Sequence, residues 1–495
     1  LTGIAGSGKT ALLTAWCAEL AAAGDCTFEH YVGAGPDSDR PSDILERLAN
    51  AVQRRSGSAI DTGGALADGF AACFEAASRH AQVHDVEWII ALDGLDQLSE
   101  GGDLLWLPAV MPAHVAVLAT SLDDATSYKD LVFDRIVAGM TQIEAAASGE
   151  HDYEPFSLAH SEIAATHAWR SRRWSEIEVG DLNTIDRCNT LTEAVGRYHK
   201  SLSPHQIEKL LGHDFSGSPL FLSTLVDELR MFGEYDRLES QIDYYLAATG
   251  LPDLFDRVLA RLERDCAPSL SANAFELLWC SRAGLEETEL ARLLAASPLQ
   301  WSTFLVQAGD TVRAAGGRIV IANPTVKAAC KARYLTSQLK EQSIRLVLAA
   351  QFDDDRQRAA EERPWQLREA KAWNELEALL TNIDWLPALM ARGHAELLSH
   401  WIPLKHQGRS LESLLMSAWR ARSGRRGSPA DTDMGAQLAA FLRFAGAMGE
   451  ATLTLHREIM EAYRRDKRHS ESVSMGISLA RLLLARGEHG QAERQ

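Results

Sequence analysis

The chain contains 495 residues, of which 46% are hydrophobic and 24% are charged, and its formal net charge is −18. This length predicts several domains, and this composition is ordinary for globular protein rather than for a fibrous or disordered one. The acidic balance argues against broad nucleic-acid binding, which needs a Lys/Arg surface, and no apolar run approaches the ~20 residues that span a bilayer.

The cysteines and the chain ends indicate the setting of the protein. Seven cysteines are scattered without a CxxC pair, which is typical of reduced thiols in a cytoplasmic protein and not of a disulfide frame or a zinc site. No basic-then-apolar targeting segment stands at the front. The sequence begins with Leu1 rather than Met and stops inside an apparent helix, so we expect a fragment of a longer protein that lacks most of its first strand.

The first ~140 residues alternate between helical and strand-like stretches, as in a parallel α/β sheet. The patterns predict helices over 10–23, 43–54 and 65–80, and strands over 28–32, 88–92 and 115–119. The last two strands are short apolar runs suited to a buried parallel sheet.

A glycine-rich loop opens this region: Gly3-Ile4-Ala5-Gly6-Ser7-Gly8-Lys9-Thr10. In the GxxxxGK[ST] pattern, the glycines let backbone N–H groups turn inward around phosphate oxygens at the start of the next helix. Lys9 would bridge the β- and γ-phosphates, and the Thr10 hydroxyl would bind Mg²⁺. The loop predicts a site for a purine nucleoside triphosphate with Mg²⁺, and its nucleotide-binding residues would be Gly3, Gly6, Ser7, Gly8, Lys9, Thr10 and Ala11.

Two acidic residues follow the buried strand over 88–92. A carboxylate at the carboxyl end of such a strand faces the phosphate site, so Asp93 is the candidate Mg²⁺ ligand and Asp96 the candidate for activating the attacking water, with Lys9 as the other catalytic residue. The alternative is that Asp93 and Asp96 merely cap the next turn. Thr120 and Ser121 end the third strand, where they either touch the γ-phosphate or its water, or form a plain exit from the strand.

The rest of the chain reads as helical. After a connecting segment (141–184), helices are predicted over 190–200, 204–211 and 220–232, as a small lid within 185–250. Residues 251–340 predict a winged helix, with helices over 254–265, 274–280, 284–295 and 324–335 and a hairpin over 311–321. Residues 341–495 predict either an unrelated helical bundle or a tetratricopeptide-like array, since Leu479, Ala480, Leu483, Gly487 and Ala492 match one repeat unit.

Several of these segments together resemble one family. Asp93-Gly94-Leu95-Asp96-Gln97-Leu98 is similar to the DGLDEL signature of NACHT-type STAND ATPases, the signal-transduction ATPases with numerous domains. Four further segments resemble the nephrocystin-3-like and telomerase-associated branch of that family: 106–112 (Trp-Leu-Pro, then Met-Pro), 216–233 (Ser-Gly-Ser-Pro-Leu, then Glu-Leu-Arg-Met-Phe-Gly), 254–259 and 281–285. The resemblance covers about residues 1 to 340.

The resemblance implies a switch that rests with bound ADP, exchanges it for ATP, opens and oligomerises. Pro219 would pack against the nucleotide, and Asn323 stands where family members carry a His that touches the β-phosphate. Leu122 replaces an Arg that many members have after the third strand, and Gln97 replaces a Glu. Because none of these replacements carries the charge of the residue it replaces, we expect slow hydrolysis with nucleotide binding left intact.

The expected fold is therefore an α/β P-loop NTPase core with a parallel sheet of residues 1–140, followed by an all-α lid, a winged helix and a helical repeat-like region. Protein partners would bind the C-terminal helices, and ATP-bound copies would form homo-oligomers.

One alternative is a turnover ATPase of the AAA+ or origin-recognition type, which would need an arginine finger. Arg135 and Arg230 are available for that role. Another is a DNA-binding regulator that reads bases through residues 324–333. The basic run at 422–426 sits among Gly, Ser and Pro, which is typical of a solvated loop.

Overall fold

The computed structural model describes residues 1–35, 38–60, 62, 65–98, 102–122, 172, 174–197, 201–232, 237–352, 356–422 and 429–492. Two compact units form, one from Leu1–Leu278 with Ala283–Tyr334 and one from Trp279–Arg282 with Leu335–Gln495. The predicted boundaries at 140, 184, 250 and 340 stay predictions. Arg135, Arg425, Arg426 and most of the predicted connecting segment lie outside the described residues.

A parallel sheet lies at the centre of the first unit. Its strands are β1 (Cys26–Tyr31), β2 (Trp88–Asp93) and β3 (Val115–Ala119), with β2 in the middle. Trp88 stands in register with Cys26 on one side and Val115 on the other. Every residue of β2 is buried, which explains its unbroken apolar sequence. The predicted parallel sheet is confirmed.

The two residues before the glycine-rich loop extend this sheet. The N–H of Ser121 donates to the carbonyl of Leu1 (3.0 Å), which places Leu1 beside the end of β3. On the other side, the N–H of Thr2 donates to Ile177 (3.0 Å) and its carbonyl accepts from Val179 (2.7 Å). The loop therefore follows a segment that lies between the end of β3 and residues 177–179, in the strand–loop–helix order of a phosphate-binding loop.

Three helices pack on the sheet: α1 (Lys9–Ala23), α2 (Pro41–Ser56) and α3 (Leu66–His84). Pro41 occupies the first turn of α2, where its missing N–H costs nothing. The core between these helices and the sheet is apolar, with Ile44, Leu48, Phe70, Phe74 and Trp88 almost fully buried.

Four helices follow: α4 (Thr184–Gly196), α5 (Pro204–Leu211), α6 (Pro219–Met231) and α7 (Leu238–Leu246). The helix predicted over 190–200 is wrong at both ends. It begins at Thr184 because the side chain of Asn183 accepts hydrogen bonds from the N–H groups of Ile185 and Asp186. Helix α7 was not predicted, and the lid assignment itself stays a prediction.

The last part of the first unit combines helices with a small antiparallel sheet, and the last two residues of one of these helices, α9, belong to the second unit. The helices are α8 (Leu251–Asp265), α9 (Pro268–Cys280), α10 (Glu287–Leu294), α11 (Pro298–Ala308) and α12 (Pro324–Tyr334), and the strands are β4 (Leu285–Glu286), β5 (Val312–Ala315) and β6 (Arg318–Ile321). The predicted hairpin is present, as β5 and β6. The helix predicted from Gly284 is wrong at its start, because Leu285 and Glu286 pair with β6 before a capping box at Glu286 begins α10. The winged-helix assignment stays a prediction.

The second unit is helical, as predicted. Its helices are α13 (Gln338–Ala349), α14 (Arg356–Glu369), α15 (Trp373–Leu380), α16 (Leu386–Ala391), α17 (His394–His406), α18 (Leu411–Ala421), α19 (Pro429–Phe444), α20 (Glu450–Arg465), α21 (His469–Ala485) and α22 (His489–Ala492). In the described part of the chain, no helix combines the length and the hydropathy needed to cross a bilayer.

One turn geometry recurs between these helices. Left-handed residues follow α14, α17, α19, α20 and α21, namely Lys371, Gly408, Gly446, Lys467 and Gly487. In each turn the N–H of the next residue donates to the carbonyl of a residue five positions earlier, at 2.9 to 3.1 Å. Those five acceptor residues are all buried, namely Leu367, Leu404, Leu442, Tyr463 and Leu483. The turns are thus Schellman-type stops, each with an apolar anchor.

Candidate phosphate-binding site

The glycine-rich loop adopts a conformation that only glycine tolerates well. Gly6 and Gly8 have φ angles of +81° and +92°, in the left-handed region. Gly8 is the N-cap of α1, and no side chain among the described residues caps this helix. The N–H groups of its first turn are therefore available to an anion, and they point at the loop where a phosphate would sit.

The other predicted loop residues take distinct positions. The ammonium group of Lys9 donates to the carbonyls of Gly3 (2.7 Å) and Ile4 (2.8 Å), which holds its charge at the mouth of the loop. Ser7 is buried, and its hydroxyl has no hydrogen-bond partner within the described chain. Ala11 lies exposed in the first turn of α1.

The loop threonine and the strand-end aspartate meet directly. The Thr10 hydroxyl donates to Oδ2 of Asp93 at 2.8 Å, although 83 positions separate the two residues. Asp93 is 9% exposed and ends β2, so its carboxylate points from the buried sheet toward the loop. A hydroxyl and a carboxylate are the hard oxygen donors that Mg²⁺ prefers, so this pair suits the predicted ion.

Asp96 lies in the short 3₁₀ helix Leu95–Gln97 that follows. Its Oδ1 accepts a hydrogen bond from the N–H of Leu122 at 3.0 Å, which ties this turn to the residues after β3. Burial raises the pKa of the Asp96 carboxyl, and the hydrogen bond from Leu122 opposes that rise. A carboxyl with a raised pKa suits a general base, and the bond to Leu122 does not cap the next turn, which was the alternative role of Asp96.

Gln97 occupies the space that two glycines leave open. A β-carbon on Gly33 would lie 2.8 Å from Oε1 of Gln97, and one on Gly94 would lie 2.8 Å from its Nε2. The Gln97 side chain thus packs between the loop after β1 and the turn that carries Asp96. The replacement of Glu by Gln at this position places an uncharged amide against both backbones.

Pro219 lies beside the glycine-rich loop. A β-carbon on Gly8 would be 3.5 Å from Cγ of Pro219, which is ordinary van der Waals contact. The Ser218 hydroxyl approaches the carbonyl of Gly6 at 3.5 Å and caps helix α6 at Phe221. The structure therefore brings the start of α6 to the loop, and a contact of Pro219 with nucleotide stays a prediction.

Asn323 takes a local role. Its side-chain oxygen accepts from the N–H of Val326 at 3.0 Å, so Asn323 is the N-cap of helix α12. It also lines a small cavity with Asp227 and Asp310. The candidate finger Arg230 lines the same cavity, where its Nε is 3.6 Å from a carboxylate oxygen of Asp227. A contact of Asn323 or Arg230 with phosphate stays a prediction.

The sequence did not predict the contacts that two residues, Arg313 and Thr120, make near the site. Arg313 of β5 donates to the carbonyl of Ala34 at 3.1 Å, across 279 positions, and so joins the hairpin to the loop after β1. Thr120 was expected to touch phosphate or to form a plain strand exit, but its hydroxyl bonds to Asp93 at 2.6 Å. No sequence signal indicates the Arg313 contact. The bond between Thr120 and Asp93 could have been predicted, because Thr120 is a hydroxyl residue at the end of a strand predicted to lie beside that of Asp93.

Comparisons with known proteins give partial similarity. No protein-family model matches the chain. The chain is 23% identical over 458 residues to a TPR repeat-containing protein of Dictyostelium discoideum, covering 82% of this chain and 25% of that protein. It is 26% identical over 331 residues to telomerase protein component 1 of Mus musculus, covering 63% of this chain and 11% of that protein. The chain thus spans a quarter or less of the length of these curated relatives, and membership of the telomerase-associated branch stays a prediction.

Two solved structures are also similar in part. A Walker-type ATPase of Pyrococcus abyssi is 15% identical with a TM-score of 0.33, covering 67% of this chain and 89% of that one. A STAND protein with a tetratricopeptide repeat sensor from Pyrococcus horikoshii is 13% identical with a TM-score of 0.33, covering 100% of this chain and 78% of that one. Similarities at these TM-scores do not establish a shared fold.

Proposed function

We propose that the chain binds ATP and ADP with Mg²⁺ at the glycine-rich loop and acts as a slow nucleotide switch of the STAND type. The observation that carries this proposal is the bond of 2.8 Å between Thr10 and Asp93, which places a hydroxyl and a carboxylate below an uncapped helix N-terminus. A phosphate group and its Mg²⁺ find every type of partner they need there.

We expect slow ATP hydrolysis because of the residues around Asp93 and Asp96. Asp96 is the candidate base, and its Oδ1 is engaged by the N–H of Leu122. Among the described residues, Leu122 and Gln97 bring no charge to the site, so stabilisation of the γ-phosphate in the transition state by this part of the chain would rest on Lys9 and Mg²⁺. Few electrostatic partners for the developing charge mean a slow chemical step.

The switch would operate through the elements that contact the loop. Pro219 and Leu220 at the start of α6 pack on Gly8 and Gly6, so the position of α6 and the nucleotide state are mechanically joined. A switch requires that ATP and ADP bind two arrangements of these elements with different affinities. Opened copies would then associate and recruit protein partners through the helical second unit.

Base readout by helix α12 is less well supported than this switch. Its Arg333 bonds to Asp256 (2.8 Å) and to Glu263 (2.7 Å) on α8. The two carboxylates neutralise the Arg333 guanidinium, which would have to leave them in order to bind DNA phosphates or bases. We therefore retain the switch as the proposed function.

The first experiment measures nucleotide content and turnover together. The purified chain is extracted for bound nucleotide, and hydrolysis is then assayed beside Lys9→Ala, with Lys405→Ala as a control on an exposed lysine of α17. Retained ADP with turnover well below ~1 per second supports a switch, because that rate lies under the usual enzyme range. Fast turnover that depends on Lys9 would contradict the switch, and failure to bind added nucleotide would contradict the site.

The second experiment tests the change of shape. Limited trypsin digestion is compared for samples with ADP, with a non-hydrolysable ATP analogue and without nucleotide. A switch predicts that the analogue and ADP give different cleavage patterns, and that Lys9→Ala abolishes the difference. Identical cleavage patterns in all three samples would contradict the proposed switch.

A further inference from the structure

Thr120 makes an unusual set of contacts at the end of β3. Its hydroxyl donates to Oδ1 of Asp93 at 2.6 Å and accepts from the N–H of Gly94 at 2.7 Å. Its backbone N–H donates to Leu92 at 3.0 Å, and its carbonyl accepts from Leu95 at 2.9 Å. Four hydrogen bonds thus join this one residue to the four consecutive residues around Asp93.

Each oxygen of the Asp93 carboxylate accepts a hydrogen bond from a different threonine. Oδ1 receives the Thr120 hydroxyl, and Oδ2 receives the Thr10 hydroxyl at 2.8 Å. The torsion of the side chain is therefore fixed from both sides, and the oxygen next to Thr10 faces the loop. Thr120 is only 2% exposed, so water cannot replace this contact without a rearrangement.

The Thr120 hydroxyl cannot donate to Asp93 and to a phosphate oxygen at the same time. A threonine hydroxyl carries one proton, and here that proton lies between Thr120 and Asp93. Contact with a phosphate oxygen would need the same proton, and Asp93 would then lose its bond to Oδ1. A buried carboxylate oxygen without a partner is costly, so the bond to Asp93 is the favoured use.

We propose that Thr120 is a positioning residue for Mg²⁺, acting through Asp93 rather than on the nucleotide. The inference rests on the proposed function, because it concerns the metal at the same site. Partners that orient a metal ligand usually change metal affinity by about 10- to 100-fold when they are removed. Thr120 should therefore set the Mg²⁺ requirement of the site and leave its affinity for nucleotide without metal unchanged.

The test is a Mg²⁺ titration on the full chain with a fluorescent ADP analogue. Thr120→Val removes the hydroxyl and keeps the shape of the side chain, and we expect the Mg²⁺ midpoint to rise by about 10-fold or more. Thr120→Ser restores a hydroxyl and should bring the midpoint back close to that of the wild type. Binding of the analogue in EDTA should be the same for all three proteins.

Thr311→Val is the matched control. Thr311 is also buried, and its hydroxyl donates to the carbonyl of Ala308 at 2.7 Å, so this bond involves neither Asp93 nor the glycine-rich loop. Both valine variants lose a buried hydrogen bond, so both should melt at a lower temperature, but only Thr120→Val should shift the Mg²⁺ midpoint. If Thr120→Val does not fold, Thr120→Ala is a second variant without the hydroxyl.

The outcomes are distinguishable. A wild-type chain that binds no analogue overturns the proposed function, and the inference with it. Analogue binding with an unchanged Mg²⁺ midpoint in Thr120→Val overturns the inference alone. Weaker binding of the analogue in EDTA by Thr120→Val would also overturn it, because that result would indicate direct contact with the nucleotide.

Discussion

The backbone N–H of Leu220 donates to the carbonyl of Gly6 at 3.3 Å, and a β-carbon on Gly6 would lie 2.8 Å from Cβ of Leu220. The glycine-rich loop and the start of α6 are thus packed so closely that a hydrogen atom is the largest side chain that fits at Gly6. This contact joins the candidate phosphate site to a helix that begins more than two hundred positions later.

Substitution of Gly6 should weaken both the fold and the site. The left-handed conformation at Gly6 costs an L-residue about 1–2 kcal/mol, and the new methyl group would also overlap Leu220. We expect Gly6→Ala to lower nucleotide affinity by about 10-fold and to lower the melting temperature. The measurement is a titration with the fluorescent ADP analogue beside a thermal melt.

Gly180→Ala is the control for this experiment, because an added β-carbon there meets no atom within 4 Å. It should bind the analogue and melt as the wild type does. Wild-type affinity in Gly6→Ala would show that the loop is not held against α6.

Asp227 should make stability depend on pH. Burial, followed by the hydrogen bond and charge of Asp310, raises the pKa of Asp227 to about 7 from 3.8, while Arg230 opposes the rise. A raised carboxyl pKa means that the folded state binds the proton more tightly, so the stabilisation is complete below the unfolded pKa and is lost as pH rises through about 7.

The check on Asp227 is denaturant unfolding from pH 5 to pH 8 for the wild type and Asp227→Asn. The wild type should lose about 2 kcal/mol more than the variant over this range, since each pKa unit is worth about 1.4 kcal/mol and the Asp227 side chain, 24% exposed, is partly screened by water. Parallel curves for the two proteins would refute the shift.

Glu362 should be critical for the second unit. Its carboxylate is fully buried and accepts from Arg358 (3.0 Å), from the N–H of Arg282 (2.8 Å) and from Gln366 (2.8 Å). Glu362→Ala leaves these buried donors short of an acceptor, and we expect a loss of about 3 kcal/mol. Hydrogen exchange of peptides from α14 measures the change locally.

Glu450 supplies the comparison for Glu362. It pairs with Arg457 at 3.0 Å, but the two side chains are 66% and 35% exposed. An exposed pair contributes about 0–1 kcal/mol, so Glu450→Ala should change exchange only slightly. Equal effects of the two substitutions would contradict the buried role of Glu362.

The repeated turns allow a stabilising substitution. Lys467 has a φ of +59° where the equivalent turn residue Gly487 has +79°. Because glycine adopts this region without the penalty of a β-carbon, Lys467→Gly should stabilise the second unit by about 0.5 kcal/mol, and Gly487→Ala should destabilise it by about 1 kcal/mol. Thermal melts of both variants provide the measurement, and a lower melting temperature for Lys467→Gly would be the contrary result.

The elements whose signal is local were predictable from the sequence. The apolar run of β2 and the glycine-rich loop mark the strand and the turn by residue type alone, and the hairpin follows from Gly316-Gly317. Helix α11 was missed although Ser297 and Gln300 form a capping box with Pro298 between them, which is a readable start signal.

Contacts between distant segments could not be predicted in the same way. The bond from Arg313 to Ala34 depends on how the hairpin packs against the loop after β1, and a single sequence carries no measure of that distance. The same holds for Thr120, whose partner was fixed only when the register placed the ends of β2 and β3 side by side. For Asn323, the alignment with a family position suggested a phosphate contact, which stays a prediction, and the local capping bond was not predicted.

The recurrent Schellman-type turns have a consequence for how the second unit gains its stability. At four of the five turns the helices on either side pack against each other, as α20 and α21 do, and these contacts join segments that are close in sequence. Local contacts close short loops, which favours rapid folding. In a tetratricopeptide-like array, one of the two predicted arrangements of this unit, the free energy is close to a sum of nearest-neighbour terms, so a defect in one helical hairpin is felt by its neighbours and fades with each step along the chain.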